Sequence, residues 1–243
     1  MKLFVDMGNS RVKWRLRGRN TVFEGEGTIG SDLLFADLPV NGKGINQVAV
    51  STVASDQGRR QLEERLRRIT PVPPEYFWTE SRRQGLVCAY DRPETMGADR
   101  WHAMVAARSR VSGGIAVVDA GSAVTVDYVA ADGRHLGGYI LAGQNMMYRA
   151  LSQDAARIHF EGRVQGGSAP GTSTAECVHH GVEWLWRGMV QQLREDVRTL
   201  GLEKVFITGG DSDRLIGCGL QGESVPGLVL DGLEIVAADV RED

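Results

Sequence analysis

Cysteine is scarce in this chain: Cys88, Cys177 and Cys218 are odd in number, scattered, and never paired as C-x-x-C. That pattern excludes a disulfide framework and points to reduced thiols, so a cytoplasmic setting is expected. No apolar run approaches the roughly 18 residues that a bilayer crossing needs. Asp6 and Asn9 interrupt the first apolar run before a signal peptide's hydrophobic segment can form, and no membrane partner is expected. There is no G-x-x-x-x-G-K-[ST], which excludes a P-loop. Basic charge is not in excess. A formal net charge of −3 argues against a general nucleic-acid binder, and no nucleic-acid partner is expected. Histidine is thin too, and His179 and His180 are neighbours on an expected helix, where side chains about 100° apart cannot share a metal. The other histidines have no partner at zinc spacing.

Glycine is what the chain has in plenty, 31 of 243 residues against a usual ~7%. Many of these sit at turns, and the richest stretch is Ile115–Gly143, IAVVDAGSAVTVDYVAADGRHLGGYILAG. An apolar run leads into Asp119, the turn Ala-Gly-Ser follows, and an alternating β-branched run leaves it. A second turn at Asp132-Gly133 sends the chain into a further extended run. A glycine turn lets phosphate oxygens approach backbone N–H groups, and an adjacent Asp can hold a hydrated cation that neutralises them. One Asp-x-Gly turn is commonplace. Here it recurs: an offset of 113 residues carries Asp6 onto Asp119, Gly8 onto Gly121 and Asn9 onto Ser122. A repeat this long is no solenoid. It predicts two related halves, with two Asp-Gly turns gripping a polyphosphate from both sides.

The rest of the chain fits two halves, 1–110 and 111–243, with no linker composition between them. In the first, Ser31–Leu38 reads as a short helix, Gln47–Ser51 as a strand, Asp56–Ile69 as an amphipathic helix and Glu75–Thr79 as a strand. Gly97-Ala-Asp-Arg then opens a helix from Asp99 to about Val111. By itself Asp99 reads as its N-cap and Arg100 as an ordinary surface residue. In the second half a helix is expected near Asn145–Ile158, then a glycine-rich loop (Gly162–Gly171), then a long helix from Thr174 to Leu200 with an apolar stripe. Lys204–Ile207 is a strand entering Thr208-Gly-Gly-Asp211, and a last strand and helix within Leu228–Val240 (LVLDGLEIVAADV) close the chain. Gly25-Glu-Gly-Thr-Ile-Gly30 matches G-x-G-x-x-G, but it belongs to a meander strand and precedes no long helix, so it is not a dinucleotide fingerprint. Trp184 and Trp186 read as packing or interface residues. One lobe cannot easily bury the stripe and both rings, which predicts a subunit interface along this helix.

Six motifs occur in order: Asp6-Met-Gly-Asn-Ser10 through Lys13, Gly97-Ala-Asp-Arg100, Asp119-Ala-Gly-Ser-Ala-Val-Thr125, Gly137-Gly-Tyr-Ile140, Gly171-Thr-Ser-Thr-Ala-Glu-Cys177 with Gly181, and Thr208-Gly-Gly-Asp211. Together they resemble the type III pantothenate kinases, of the acetate kinase/Hsp70/actin superfamily, over essentially the whole chain. Ser122 stands where that family usually has Thr and keeps the hydroxyl; Ala142 stands where it usually has Pro before Gly143. The resemblance implies an α/β fold of two tandem actin/ribonuclease H-like lobes, each a mixed sheet in βββαβαβα order. It implies phosphorylation of pantothenate by ATP, with Mg²⁺ and a monovalent cation, K⁺ or NH₄⁺, in a homodimer. Asp6 would hold Mg²⁺ through water. Met7, Gly8, Asn9, Ser10, Arg11, Val12 and Lys13 would form the nucleotide-binding stretch, and Ser122 would contact ATP. Asp119 would bind the monovalent cation. Asp99 matches the family's general base. Tyr90, Gly97, Ala98 and Arg100 would position pantothenate, with Thr174 supplied by the partner subunit.

This chemistry asks the protein mostly for alignment and charge neutralisation. A carboxylate such as Asp99 suffices as base, because a loose transition state gives up the nucleophile's proton late. Two other readings use the same fold: a non-catalytic accessory factor for transcription, and a kinase for another small polyol or acid. The first has no chemical need for a base at position 99.

Overall fold

Leu3, Phe4 and Val5 bury the first strand, β1 (Lys2–Met7), at the centre of a five-stranded sheet. The computed structural model describes residues 1–39, 44–155, 158–160, 167 and 169–239. β2 (Val12–Arg17) pairs antiparallel with β1, with Asp6 opposite Lys13, and β3 (Val22–Gly27) pairs antiparallel with β2 at the edge. On the other side of β1, β4 (Gln47–Thr52) and then β5 (Pro74–Phe77) run parallel, completing the order β3-β2-β1-β4-β5. Gly25 of the discarded G-x-G-x-x-G faces Trp14, and a Cβ there would collide with the indole ring. It is a strand glycine making room for a core tryptophan.

α1 (Asp56–Arg67) joins β4 to β5; its N-cap Ser55 accepts from the Gly58 amide, and Leu62 and Leu66 face the sheet core. The segment expected as a helix at Ser31–Leu38 is instead a run of turns. Its bonds are of the i→i+3 kind, as Leu34 N–H to Ser31 and Leu38 N–H to Phe35, and no helical ladder follows. A small hairpin, β6 (Arg82–Arg83) with β7 (Leu86–Val87), precedes α2 (Ala98–Arg110).

The second sheet repeats the plan. β8 (Ile115–Ala120) pairs antiparallel with β9 (Ala123–Val129), β10 (His135–Ala142) lies beyond β9, and β11 (Lys204–Thr208) and β12 (Glu223–Ser224) run parallel on the other side. The order β10-β9-β8-β11-β12 matches the first sheet strand for strand. α3 (Gln144–Asp154), α4 (Thr174–Thr199) and the short α5 (Ser212–Gly217) complete this half. Val182, Trp186, Val190 and Leu193 of α4 pack with Val118, Val126 and Ile207 of the strands. The expected glycine-rich loop, and the end of the helix expected to reach Ile158, fall largely outside the described residues.

Two compact units result: Met1–Ser112 with Gly133–His135 and Gly227–Asp243, and Gly113–Asp132 with Leu136–Pro226. The closing segment differs from the expected strand and helix. Leu228–Asp239 is one helix, α6, and it packs on α2 in the first unit rather than ending the second. The apolar run Leu228-Val-Leu is its first turn, buried like Leu233 and Val236. At Gly232 a Cβ would collide with the His102 carbonyl, so glycine allows the close approach of the two helices. Arg15 of β2, nearly buried, binds Glu24 at 2.5 Å, Asp231 at 2.6 Å and Glu234 at 2.8 Å. Burial alone would lower the pKa of this guanidinium; the bonds to Glu234, Asp231 and Glu24 outweigh that and raise it.

His102, on α2, is fully buried. Its Nδ1 lies 2.8 Å from Ser51 Oγ, and its Nε2 has no hydrogen-bond partner among the described residues. Burial, and secondarily the charge of Arg83, pushes its pKa down to about 3. The unfolded ring protonates near 6.5, so this contribution is complete above that pH and is lost on acidification toward 3, at about 1.4 kcal/mol per pH unit. His102→Gln, which does not titrate, should flatten the fall in urea-unfolding stability between pH 6.5 and pH 4. Equal slopes in the two proteins would remove His102 as the cause.

Candidate functional site

In the first unit the loop between β1 and β2 is closed by its own backbone, with the Gly8 amide donating to the Arg11 carbonyl at 3.0 Å. Asp6 and Lys13 face each other at the base of this loop, both partly exposed, while Asn9, Ser10 and Arg11 are exposed at its tip. Met7 and Val12 are buried and anchor the two strand ends. Arg11 makes an exposed ion pair with Glu26 at 2.8 Å, worth little in water. A Cβ on Gly8 would meet only the Arg11 carbonyl oxygen, at 3.5 Å. The side of the turn where a Gly8 side chain would stand is therefore open surface.

The start of α2 carries the second group. Its N-cap is Gly97, not Asp99, and Gly97 has no side chain with which to cap. Asp99 is the second helical residue, and its Oδ1 accepts the Arg100 amide at 2.7 Å. This orients the carboxylate while it satisfies one of the first-turn amides. A Cβ on Gly97 would come within 2.6 Å of that same oxygen, so Gly97 makes way for Asp99, and Ala98 beside it is buried. Arg100 is not a surface residue: it is 5% exposed. Its Nη1 donates to the Tyr90 hydroxyl at 3.0 Å, and its guanidinium lies 5.8 Å from the Tyr90 ring centre. The structure thus brings Tyr90, Gly97, Ala98, Asp99 and Arg100 into one neighbourhood. A shallow concavity lined by Gln84 and Arg108–Ser112 lies at the other end of α2.

In the second unit Asp119, partly exposed, is the penultimate residue of β8, and the Gly121 amide closes the turn on Ala123 at 2.9 Å, as Gly8 does on Arg11 in the first. Two glycines press on this turn. Gly143 donates to the Ser122 carbonyl at 3.1 Å, and a Cβ there would collide with the turn backbone. Gly209, at φ 94°, lies against the Asp119 carboxylate and the Ala120 carbonyl, where a Cβ would clash with both. The Asp211 amide donates to that carbonyl at 2.8 Å. So Thr208-Gly-Gly-Asp211 is a backbone brace for Asp119. Ser122 is exposed at the tip.

Thr174 is the exposed first residue of α4, whose N-cap Ser173 accepts the Glu176 amide at 3.2 Å while Glu176 reaches back to the Thr172 amide at 2.8 Å. The two tryptophans of α4 separate. Trp186 is 1% exposed in the unit's own core, with Arg214 over its ring at 5.0 Å, whereas Trp184 is 70% exposed. The expectation that one lobe cannot bury both rings holds for Trp184 alone. His179 bonds to the Tyr148 hydroxyl at 3.0 Å and His180 to the Ala169 carbonyl at 2.8 Å, both structural roles.

The chain is similar to known proteins over its whole length. The sequence profile of the type III pantothenate kinases matches residues 2–196. A type III pantothenate kinase of Marinobacter nauticus is 50% identical over 238 residues, covering 98% of each chain. One of Cellvibrio japonicus is 37% identical, covering 97% of this chain and 96% of its own. Among solved structures, a Campylobacter jejuni protein described as a Baf family transcriptional activator superposes with a TM-score of 0.61 at 19% identity, covering 99% of this chain and all of its own. The Clostridium difficile activator of 2-hydroxyisocaproyl-CoA dehydratase, solved with ADPNP, gives 0.51 at 11% identity, covering 100% and 97%. These two share the fold of two repeated α/β lobes. The profile and the full-length identities go further: this chain belongs to the type III pantothenate kinase family.

Proposed function

We propose that this chain transfers the γ-phosphoryl group of ATP to the primary hydroxyl of pantothenate, giving 4'-phosphopantothenate and ADP, with Asp99 as the general base. The observation that carries the assignment is local. Asp99 sits in the first turn of α2 beside the N-cap Gly97, with its carboxylate on the Arg100 amide next to the bonded Arg100–Tyr90 pair. A non-catalytic transcriptional accessory on this fold needs no base at that position. In the reaction the pantothenate oxygen bonds to the γ-phosphorus as the bond to the β,γ-bridging oxygen breaks. Asp99 takes the hydroxyl proton late, and ADP leaves. Arg100 and Tyr90, already bonded to each other, orient pantothenate beside the Gly97-Ala98 backbone, and the partner subunit's copy of Thr174 completes that site.

The stretch Asp6–Lys13 is assigned to the nucleotide: the amides of Asn9 and Ser10 and the Lys13 ammonium bind phosphate oxygens. Ser122, in the second unit, supplies a hydroxyl to ATP. Magnesium is usually held by one or two carboxylates together with substrate phosphates and water. Asp6, a partly exposed carboxylate beside the Gly8 turn, suits that coordination. The ion's contribution is to neutralise charge on the phosphates. Asp119 is assigned to K⁺ or NH₄⁺, and a cytoplasmic setting fits the free cysteines. The direct test is ³¹P NMR of the product. A phosphomonoester on the primary hydroxyl supports the reading, and its absence with ATP, Mg²⁺ and K⁺ present overturns it.

The homodimer forms along α4 in this proposal. Trp184 and Leu185, 70% and 51% exposed, are the apolar surface it covers. Trp184→Glu should shift the protein toward monomer in sedimentation and raise the KM for pantothenate more than that for ATP. Trp186→Glu is no test of the interface, because a charge placed in that core unfolds the lobe. A Trp184→Glu protein that sediments as the parent does would exclude this face.

A further inference from the structure

We propose that His135 is a positioning residue for the pantothenate site, acting through Tyr90; this rests on the role given to Tyr90 and Arg100 above. The residues before β10 lie alongside the segment that carries Tyr90. The Val87 amide donates to the Gly133 carbonyl at 2.9 Å, and Val87 bridges Arg134 in parallel fashion. Two residues on, the Ala89 amide donates to Nδ1 of His135 at 3.4 Å. The His135 ring then stacks on the Tyr90 ring, with centres 6.4 Å apart and planes 12° from parallel. Gly133, at φ 88°, makes this approach possible, since a Cβ there would collide with the Gly85 carbonyl.

The need for such a support follows from the local backbone. Cys88, Ala89 and Tyr90 belong to no strand or helix. The Tyr90 amide makes a long contact of 3.5 Å to the Cys88 thiol. A ring on irregular backbone keeps one orientation only if other side chains hold it. Arg100 meets its hydroxyl, and His135 supports its face. His135 is itself 4% exposed, so its ring cannot swing away into solvent. Its distance from the reacting atoms is bridged by Tyr90, so it sets substrate binding and not the chemical step. The sign of the effect is therefore a weaker pantothenate complex at unchanged turnover.

Steady-state kinetics on the full chain test this. His135→Ala should raise the KM for pantothenate about tenfold, the loss of one aromatic pair and one hydrogen bond. The kcat and the KM for ATP should stay within about twofold. His135→Phe keeps a flat ring and loses the two ring nitrogens, so it should recover the part of the loss that comes from stacking. Tyr90→Ala should raise the same KM, and Tyr90→Ala/His135→Ala should be no worse than Tyr90→Ala alone, because His135 acts only through that ring. A drop in kcat with both KM values altered, or additive effects in the double variant, would make His135 merely structural. If Tyr90→Ala raises the KM and neither His135 variant does, the inference falls and the site assignment stands. If Tyr90→Ala leaves the KM for pantothenate unchanged, the role of Tyr90 and this inference fall together.

Discussion

Asp99→Asn is expected to lower kcat for pantothenate phosphorylation by about 10²- to 10⁴-fold, the usual worth of a positioned general base. Asparagine keeps an Oδ1 that can accept the Arg100 amide, and Gly97 remains the cap, so the helix start is undisturbed. Thermal stability and ATP affinity should stay close to those of the parent. The two readings of Asp99 predict opposite results. A cap tolerates asparagine, which caps about as well as aspartate, whereas a base does not survive the loss of its charge. Activity within a few-fold of the parent would reduce Asp99 to a helix-end residue.

The second large effect concerns the cation. Asp119→Ala should lower the rate by about 10²-fold, as expected when a group that fixes charge beside a phosphoryl-transfer site is removed. The parent should be active in K⁺ or NH₄⁺ and poor in Na⁺ at equal ionic strength, and the variant should respond to none of them. Gly209 and the Asp211 amide brace the Asp119 turn by backbone contacts, and an alanine at 119 removes none of those. The variant should therefore remain folded, and its melting temperature separates a lost cation site from a lost fold. Equal rates of the parent in Na⁺ and K⁺ would contradict the assignment.

The two meanders were readable because their signals are local. Apolar runs mark β1 and β8, an alternating β-branched run marks β9, and the turns between them carry glycine or Asp-Gly. The repeat at an offset of 113 residues even anticipates the matched strand orders of the two sheets. What stayed hidden depends on residues far away in the chain. Arg100 reads as a surface residue because nothing beside it shows that Tyr90, ten positions earlier, receives its guanidinium. Trp184 and Trp186 look alike in sequence. One faces solvent and the other the core because the helix turns about 200° between them. The closing run Leu-Val-Leu is ambiguous between strand and buried helix at that length. Its partner, α2, decides, and Gly232 is the one local hint of a close helix contact. His135 carried no signal at all, since a histidine entering a strand resembles any other until its neighbour is known. Ser31–Leu38 failed in the opposite way: its composition suits a helix, but the chain closes only single turns there.

The measurement that bears most directly on the central claim is a coupled assay of ADP release with ATP, Mg²⁺ and K⁺ present. The account predicts steady release that requires pantothenate, one ADP for each pantothenate consumed, and essentially none from Asp99→Asn under the same conditions. ADP release that ignores pantothenate, or that persists in Asp99→Asn, would contradict it.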